Sequence, residues 1–399
     1  MTRDTELLII GAGPFGLAMS AYAKSLNIGH LIVGKPMEFW KSNMPQGLIL
    51  RSACDWHLDP LDTHTIENYL QTQNLTAADV EPLSRDFYLD YARWFQNEKR
   101  IEVLPSRVQR LDHTHDSTGQ FKATLDDGAS LTARYVLLAL GFQYFKHIPE
   151  DLAEVVPSGR YSHTCDLVDF DHLRGKRCLI IGGRQSAFEW AALLHEHGVA
   201  AVHVSHRHET PAFRQSDWSW VSPMVNSMVE DPGWFYNLPP TEREKISQRF
   251  WAEGRLKLEP WLWSRIDNDS VNIWPKSRVV ACDTLATGEL KVNLDTGTTL
   301  IVDHVVLATG YKVNMEKVPF LAAGTILNDL RTSDGYPVLD EHLQSSIPGL
   351  FFTSMPATQR FGPFFAFTVS VVASTKIIGS FISQGRKEGR RGSQFAASS

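Results

Sequence analysis

Paired cysteines are missing from these 399 residues. Cys54, Cys165, Cys178 and Cys282 stand far apart with no CxxC spacing, so neither a dithiol redox centre nor a cysteine-rich metal site is expected. Buried, reduced thiols in a cytoplasmic protein are the plainer reading. Charge of one sign is not in excess either. The net charge is -6 and basic residues cluster only near the end of the chain, which argues against nucleic acid as a partner. The opening MTRDTE runs straight into an apolar strand-like stretch and fits neither a signal peptide nor a transit peptide. Only residues 362–382 are apolar over a length that raises a membrane question. Their Ser and Thr residues, Lys376 and Gly379 weaken a spanning helix, so a buried helix closing the core is expected there, with no membrane as partner. His195 and His197 fall on different faces of a helix, and His113 to His115 lie by a hairpin, so no metal site is expected.

What is present is a pair of glycine hexapeptides about 170 residues apart: GAGPFG at Gly11–Gly16 and GGRQSA at Gly182–Ala187. Each follows an apolar run, LLII or CLII, and precedes a helix-patterned stretch, the strand-turn-helix setting of a dinucleotide fingerprint. In the first, Gly11 permits the tight turn, Gly13 admits a pyrophosphate to the backbone, and Gly16 lets helix pack on strand. Amides at the helix start then face the phosphates with the favourable dipole sense. An acidic residue usually ends the second strand, yet Gly34 follows His30–Val33, leaving Lys35, Glu38, backbone or water to hold the ribose. In the second fingerprint Arg184 replaces a glycine, either crowding the pyrophosphate or, the favoured alternative, pairing with it. Beyond the next strand, Ser205 and Arg207 in SHRHE replace a carboxylate with a neutral residue and a cation, which suits the 2′-phosphate of NADP.

A chain of this length, 43% hydrophobic and 21% charged, is an ordinary globular protein with room for two domains. Strands are expected at 7–10, 30–33, 101–104, 106–111, 121–125 and 134–140, with helices at 14–25 and from Asp86. A second unit starts near Ser158, with a strand at 176–181, a helix at 186–197 and a strand at 201–205. Seven tryptophans crowd into residues 214–275. Later, LDTGTTLIVDHVVLATGY echoes LDDGASLTARYVLLALGF: in each a hairpin leads into a buried strand ending in a glycine turn.

These features resemble the flavin-dependent monooxygenases, the group containing the flavin-containing monooxygenases and the siderophore ornithine and lysine N-hydroxylases. The stretch from Ser158 to Gly183 is similar to their linker signature at Gly159 and His163, with Pro157 where phenylalanine is usual. KPMEFWKSNMP with Trp40 and Met44, GWFYNLPPTEREKI at 233–246 and ATGY at 308–311 follow in family order. The resemblance implies an α/β fold of two Rossmann-like lobes, the NADPH lobe inserted into the FAD lobe. Residues 1–150 and 300–385 would bind FAD and 151–299 NADPH, with the Trp-rich insertion at 214–275 and a flexible tail at 386–399.

It also implies that Gly11, Gly13, Pro14, Gly16, Lys35, Trp40, Val108 and Gly141 contact FAD, with Gly182, Arg184, Gln185, Ser186, Ser205, Arg207 and Gly310 serving the second nucleotide. In LILRSACDWHL, Arg51 and Ser52 would lie by the flavin and His57 by the substrate. The implied cycle has NADPH reduce FAD and molecular oxygen form a flavin hydroperoxide that oxygenates a small nucleophilic substrate. The family's Asn-Tyr-Ser stretch has no match in AEGRLKLEPWLW, nor is its C-terminal Leu-Leu-Ser present. That departure argues against amino-acid N-hydroxylation, and the tryptophans suit an aromatic substrate. Self-association is left open. Two other readings share the two-nucleotide plan: a thioredoxin-reductase-like flavoprotein lacking CxxC, and a non-enzymatic cofactor sensor.

Overall fold

The computed structural model describes residues 2–114 and 119–396, with side chains for 3–114 and 119–386; His115 lies outside the described residues. The first sheet starts with β1 (Thr2–Ile10), α1 (Pro14–Ser25) and β2 (His30–Val33). Leu7, Leu8 and Ile9 are fully buried, as a parallel strand covered on both faces requires. After α2 (Glu38–Ser42) comes α3 (Arg85–Glu98), whose Ser84 side chain caps it by accepting the Phe87 N–H. Strand β3 (Val103–Leu104) joins β2, and the meander β4 (Val108–His113), β5 (Phe121–Leu125) and β6 (Ser130–Leu138) returns beside β1. The order is β3-β2-β1-β6-β5-β4.

A second sheet repeats the plan. It contains β7 (Tyr161–His163), β8 (Arg177–Ile181), α4 (Gln185–Glu196) and β9 (Ala201–Ser205). The insertion follows with α5 (Val221–Glu230) and α6 (Pro240–Arg255), then β10 (Val271–Trp274) pairs with β9. The meander β11 (Val279–Thr284), β12 (Leu290–Leu294) and β13 (Thr299–Val302) leads to β14 (His304–Leu307), which lies between β8 and β7. All pairings in the order β10-β9-β8-β14-β7 are parallel. The chain then recrosses, adds β15 (Leu350–Phe352) beside β6, and ends in α7 (Val371–Ala396), packed on α1.

Three expected boundaries are corrected. Residues 300–307, assigned to the first lobe, belong to the second, because β14 pairs with β8; alternation of apolar residues does not reveal which sheet a strand joins. The tryptophan-rich insertion ends before Val271, since Trp274 sits in β10. The backbone of residues 386–396, expected as a flexible tail, continues α7; Arg386 anchors the helix by pairing with Glu6 (3.2 Å) and donating to the Asn27 carbonyl (2.8 Å). The apolar stretch 362–382 is two short 3-10 turns followed by α7, not one helix.

The internal echo is a structural duplication. Leu125 N–H bonds the Ala129 carbonyl (2.9 Å), and Leu294 N–H bonds the Thr298 carbonyl (2.8 Å). Upstream, Ser106-Arg107-Val108 and Ser277-Arg278-Val279 are the same tripeptide: the Arg107 N–H donates to Asp126 (3.1 Å) and the Arg278 N–H to Asp295 (2.9 Å). A Cβ on Gly11 would lie 2.4 Å from the Ala139 carbonyl, and one on Gly182 2.5 Å from that of Ala308. Both glycines have positive φ, so each fingerprint's first glycine is required by the strand beside it. The two glycine turns bring Phe142 and Tyr311 edge to face at 4.9 Å. There the two crossings pair, His147 N–H to the Gly310 carbonyl (3.0 Å) and Lys312 N–H to that of Phe145 (2.7 Å).

Candidate active site

One cavity of about 1340 Å³ runs between the lobes, and both fingerprints open into it. From the first lobe it is lined by Gly11, Gly13, Pro14, Lys35, Trp40, Val108 and Gly141. From the second it is lined by Gly182, Arg184, Gln185, Ser186, Ser205, Arg207 and Gly310. Gly16 is not at the surface: a Cβ there would sit 1.8 Å from the Gly11 carbonyl, so it serves helix packing. A Cβ on Gly13 meets nothing within 4 Å, leaving the start of α1 open to a phosphate group. Trp40 stacks on buried Tyr88 at 4.6 Å, a contact worth about 0.5–1.5 kcal/mol beyond burial, which fixes that wall.

Gly34 has φ of 141°, and its Cβ would lie 3.2 Å from the Ala12 N, so a side chain at the end of β2 is disfavoured. The carboxylate appears four residues later. Glu38, in α2, lines the cavity and pairs with Arg107 and with Lys35 (3.8 Å). In the second lobe the repeated arginine, Arg278, also lines the cavity, as does Arg207. Neither guanidinium has a hydrogen-bond or ion-pair partner among the described residues. The second copy of Ser-Arg-Val is the signal that singles out Arg107 and Arg278. Ser205, by contrast, is buried against Ser277 (2.8 Å).

Arg184 does not lie free over the helix start. Its guanidinium donates to the Arg255 carbonyl and sits 5.2 Å from the Trp251 ring. Arg51 is likewise committed. It pairs with Glu259 (2.8 Å), donates to the Gly254 (2.9 Å) and Glu253 (3.1 Å) carbonyls and to Ser216, and stacks on Trp218 at 5.3 Å. It therefore joins the first lobe to the insertion. Ser52 faces the cavity with its hydroxyl 3.2 Å from that of Thr368. His57 does not line the cavity. Its Nδ1 accepts the Asp59 N–H (3.2 Å), its Nε2 is 3.4 Å from Asp62, and burial holds its pKa below the ordinary value. A catalytic role for His57 is not supported by this placement.

His163 of the linker signature is a clamp between the crossings. Its Nδ1 accepts the Cys165 N–H (3.2 Å), which leaves Nε2 to donate to the Gly310 carbonyl (3.0 Å). The thiols are not activated: burial raises Cys54 and Cys178 to about 12, Cys165 to about 11, and Cys282 upward. Among the described residues no His, Cys, Asp and Glu group could hold a metal, and no helix is long and apolar enough to cross a membrane.

Glu189 in α4 is missed by sequence reasoning because its helix reads as plain packing. It is 1% exposed, lines the cavity, and accepts from Ile49 N–H (3.1 Å) and Arg265 (3.0 Å). Burial pushes its carboxyl up to about 7, with Arg265 pulling the other way. Its folded pKa thus exceeds the ordinary 4.5, so the native state holds the proton more tightly. No penalty applies below about pH 4.5, and stability falls as pH rises towards 7. Melting temperatures of wild type and Glu189→Gln across that range should show the wild type losing ground as pH rises; parallel curves would contradict this assignment.

Several curated relatives are matched over about half of this chain. The FAD-dependent urate hydroxylase of Xanthomonas campestris is 32% identical over 208 residues, 48% of this chain and 44% of that protein. The chain thus spans about half the length of several curated relatives it matches. Among solved structures, the ornithine N-hydroxylase of Kutzneria sp. 744 superposes with a TM-score of 0.79 at 14% identity, covering 96% of this chain and 100% of that one. The L-lysine 6-monooxygenase of Pseudomonas syringae gives 0.73 at 19% identity, covering 95% and 99%. The expected architecture, two Rossmann-like lobes with the second inserted into the first, is the one observed. The pyridine nucleotide-disulphide oxidoreductase signature spans residues 8–232, more than half of the sequence, and the chain belongs to that family.

Proposed function

We propose that this protein is an NADPH-dependent FAD monooxygenase acting on a small aromatic substrate. The observation that carries this reading is the opening of two dinucleotide-type helix starts into one cavity that also has an aromatic wall. The overall change is NADPH, a proton, oxygen and substrate giving NADP, water and the singly oxygenated product. Bound FAD would supply the electron transfer and oxygen activation.

The chain's own residues bind and orient. Gly13 and the first turn of α1 fit the FAD pyrophosphate, and Glu38, held by Arg107, fits a ribose hydroxyl pair. Gly182 and the first turn of α4 fit the second pyrophosphate, while Arg207 and Arg278 supply cations for a 2′-phosphate. Trp56, Trp218, Phe250, Phe364 and Phe367 line the remaining space and keep it dry. Ser52 and Thr368 offer a hydroxyl pair for orienting substrate. Raised thiol pKa values and the absence of paired cysteines weigh against a dithiol reductase.

The reading is tested by oxygen and NADPH consumption. A true substrate should draw the two down one to one and lower hydrogen peroxide release; acceptor dyes or disulfides consuming NADPH without oxygen would overturn it. Cofactor choice is tested separately. Arg207→Ala and Arg278→Ala should each raise the KM for NADPH about tenfold, roughly 1.4 kcal/mol, and leave NADH nearly unchanged. Equal effects on both nucleotides would remove these residues from the 2′-phosphate.

A further inference from the structure

Where the insertion meets the two lobes, the cavity holds more positive charge than the protein neutralises. Arg51, Arg184 and Arg255 all line it. Of the nearby carboxylates, Glu259 is paired with Arg51 (2.8 Å) and Glu253 with Lys257 (2.7 Å). Arg184 lies at the N-terminus of α4, where the second nucleotide's phosphates are expected. Arg255 is left over. It is the last residue of α6, its guanidinium 6.0 Å from the Trp251 ring, and it has no hydrogen-bond or ion-pair partner for that group among the described residues. Arg255 is exposed, so its guanidinium is open to an anion entering the cavity it lines. A cation–π contact, worth about 0.5–2 kcal/mol, does not neutralise that charge.

The surface next to Arg255 is aromatic. Gly254 has no side chain, and a Cβ there would lie 3.2 Å from Trp218, so the indole packs directly on α6. Trp218 meets Phe250 at 5.7 Å, and Phe250 meets Phe364 at 5.4 Å and Phe367 at 6.0 Å. No free carboxylate faces this wall. The acidic residues lining the cavity are Glu38, Asp151 and Glu189. Glu38 is held by Lys35 and Arg107, and Glu189 by Arg265 and Ile49. Asp151 lies on the helix Glu150–Val155, packed against β11 in the second lobe. An ammonium group would find a neighbouring cation and no partner.

From this juxtaposition we infer that the substrate is an aromatic anion, its ring against Trp218 and Phe250 and its acidic group on Arg255. This rests on the monooxygenase reading for the reaction, but the specificity stands on the cavity's own charge and shape. Arg255 is then a specificity-determining residue that selects the anion.

The test uses the full-length FAD-loaded protein with matched probes: indole-3-acetate against indole-3-acetamide, benzoate against benzamide, and cadaverine as the cation. Calorimetric affinities should favour the carboxylates over their amides at least tenfold. Arg255→Met should abolish that preference, Arg255→Lys should restore part of it, and the NADPH dissociation constant should move less than threefold. Unchanged FAD content and melting temperature exclude misfolding, and Trp218→Leu should weaken acid and amide alike. Amides binding as well as acids, cadaverine binding best, no aromatic anion binding, or Arg255→Met weakening NADPH instead would each overturn the assignment. Failure of the monooxygenase reading looks different: the anion preference persists while oxygen consumption never follows.

Discussion

Gly13→Val should give a protein that folds normally and purifies almost without FAD. The position is open, with nothing within 4 Å of where a Cβ would stand, so a side chain there starts in free space rather than against protein. It meets the ligand instead, because the pyrophosphate must approach the backbone at the start of α1. A loss of affinity on the order of a hundredfold, about 2.8 kcal/mol, is expected, with the melting temperature of the FAD-free protein unchanged. Gly11→Val provides the contrast, since its Cβ would sit 2.4 Å from the Ala139 carbonyl and destabilise the sheet itself. FAD-to-protein ratios from absorbance measure both. A Gly13→Val protein that stays fully yellow would place the flavin nucleotide elsewhere.

Arg51→Met should destabilise the protein by about 3–5 kcal/mol, the usual result of removing one partner of a largely buried pair. The guanidinium and Glu259 side chains are 17% and 11% exposed, so solvent screens them little. The substitution strands Glu259 and frees the Glu253 and Gly254 carbonyls. Arg51→Met with Glu259→Gln should therefore cost less than Arg51→Met alone, a non-additivity readable in urea denaturation. If Arg51→Met were as stable as wild type but inactive, Arg51 would be a flavin-facing residue after all.

Local rules make much of this fold legible. The fingerprints with their strands and helices follow from apolar runs meeting glycine turns, and Leu7–Ile10 and Arg177–Ile181 lie where those runs are, whereas the nesting of one lobe in the other is what the family resemblance implies. Sheet membership is not legible for His304–Leu307, because pairing with Arg177–Ile181 is a long-range choice between two similar sheets. The same holds in the site. Gly13 and Gly182 line the cavity because the fingerprint turns aim them there, and Arg207 lines it from the loop after the next strand. The settings of Arg51 and His57 are not legible, because their partners, Glu259 and Asp62, are chosen by tertiary packing. Glu38, one of the candidates the sequence offers in place of a strand-end carboxylate, lines the cavity from a helix four residues past Gly34, and Arg255 gains meaning only when the carboxylates around it are counted.

That the reduced flavoprotein is built to use oxygen rather than pass electrons to a disulfide is tested most directly by stopped-flow absorbance. NADPH-reduced protein is mixed with oxygenated buffer. The expected result is a transient spectrum distinct from both reduced and oxidised protein, lasting longer when NADP is present. Direct, single-step return to the oxidised spectrum, at a rate indifferent to NADP, would contradict it.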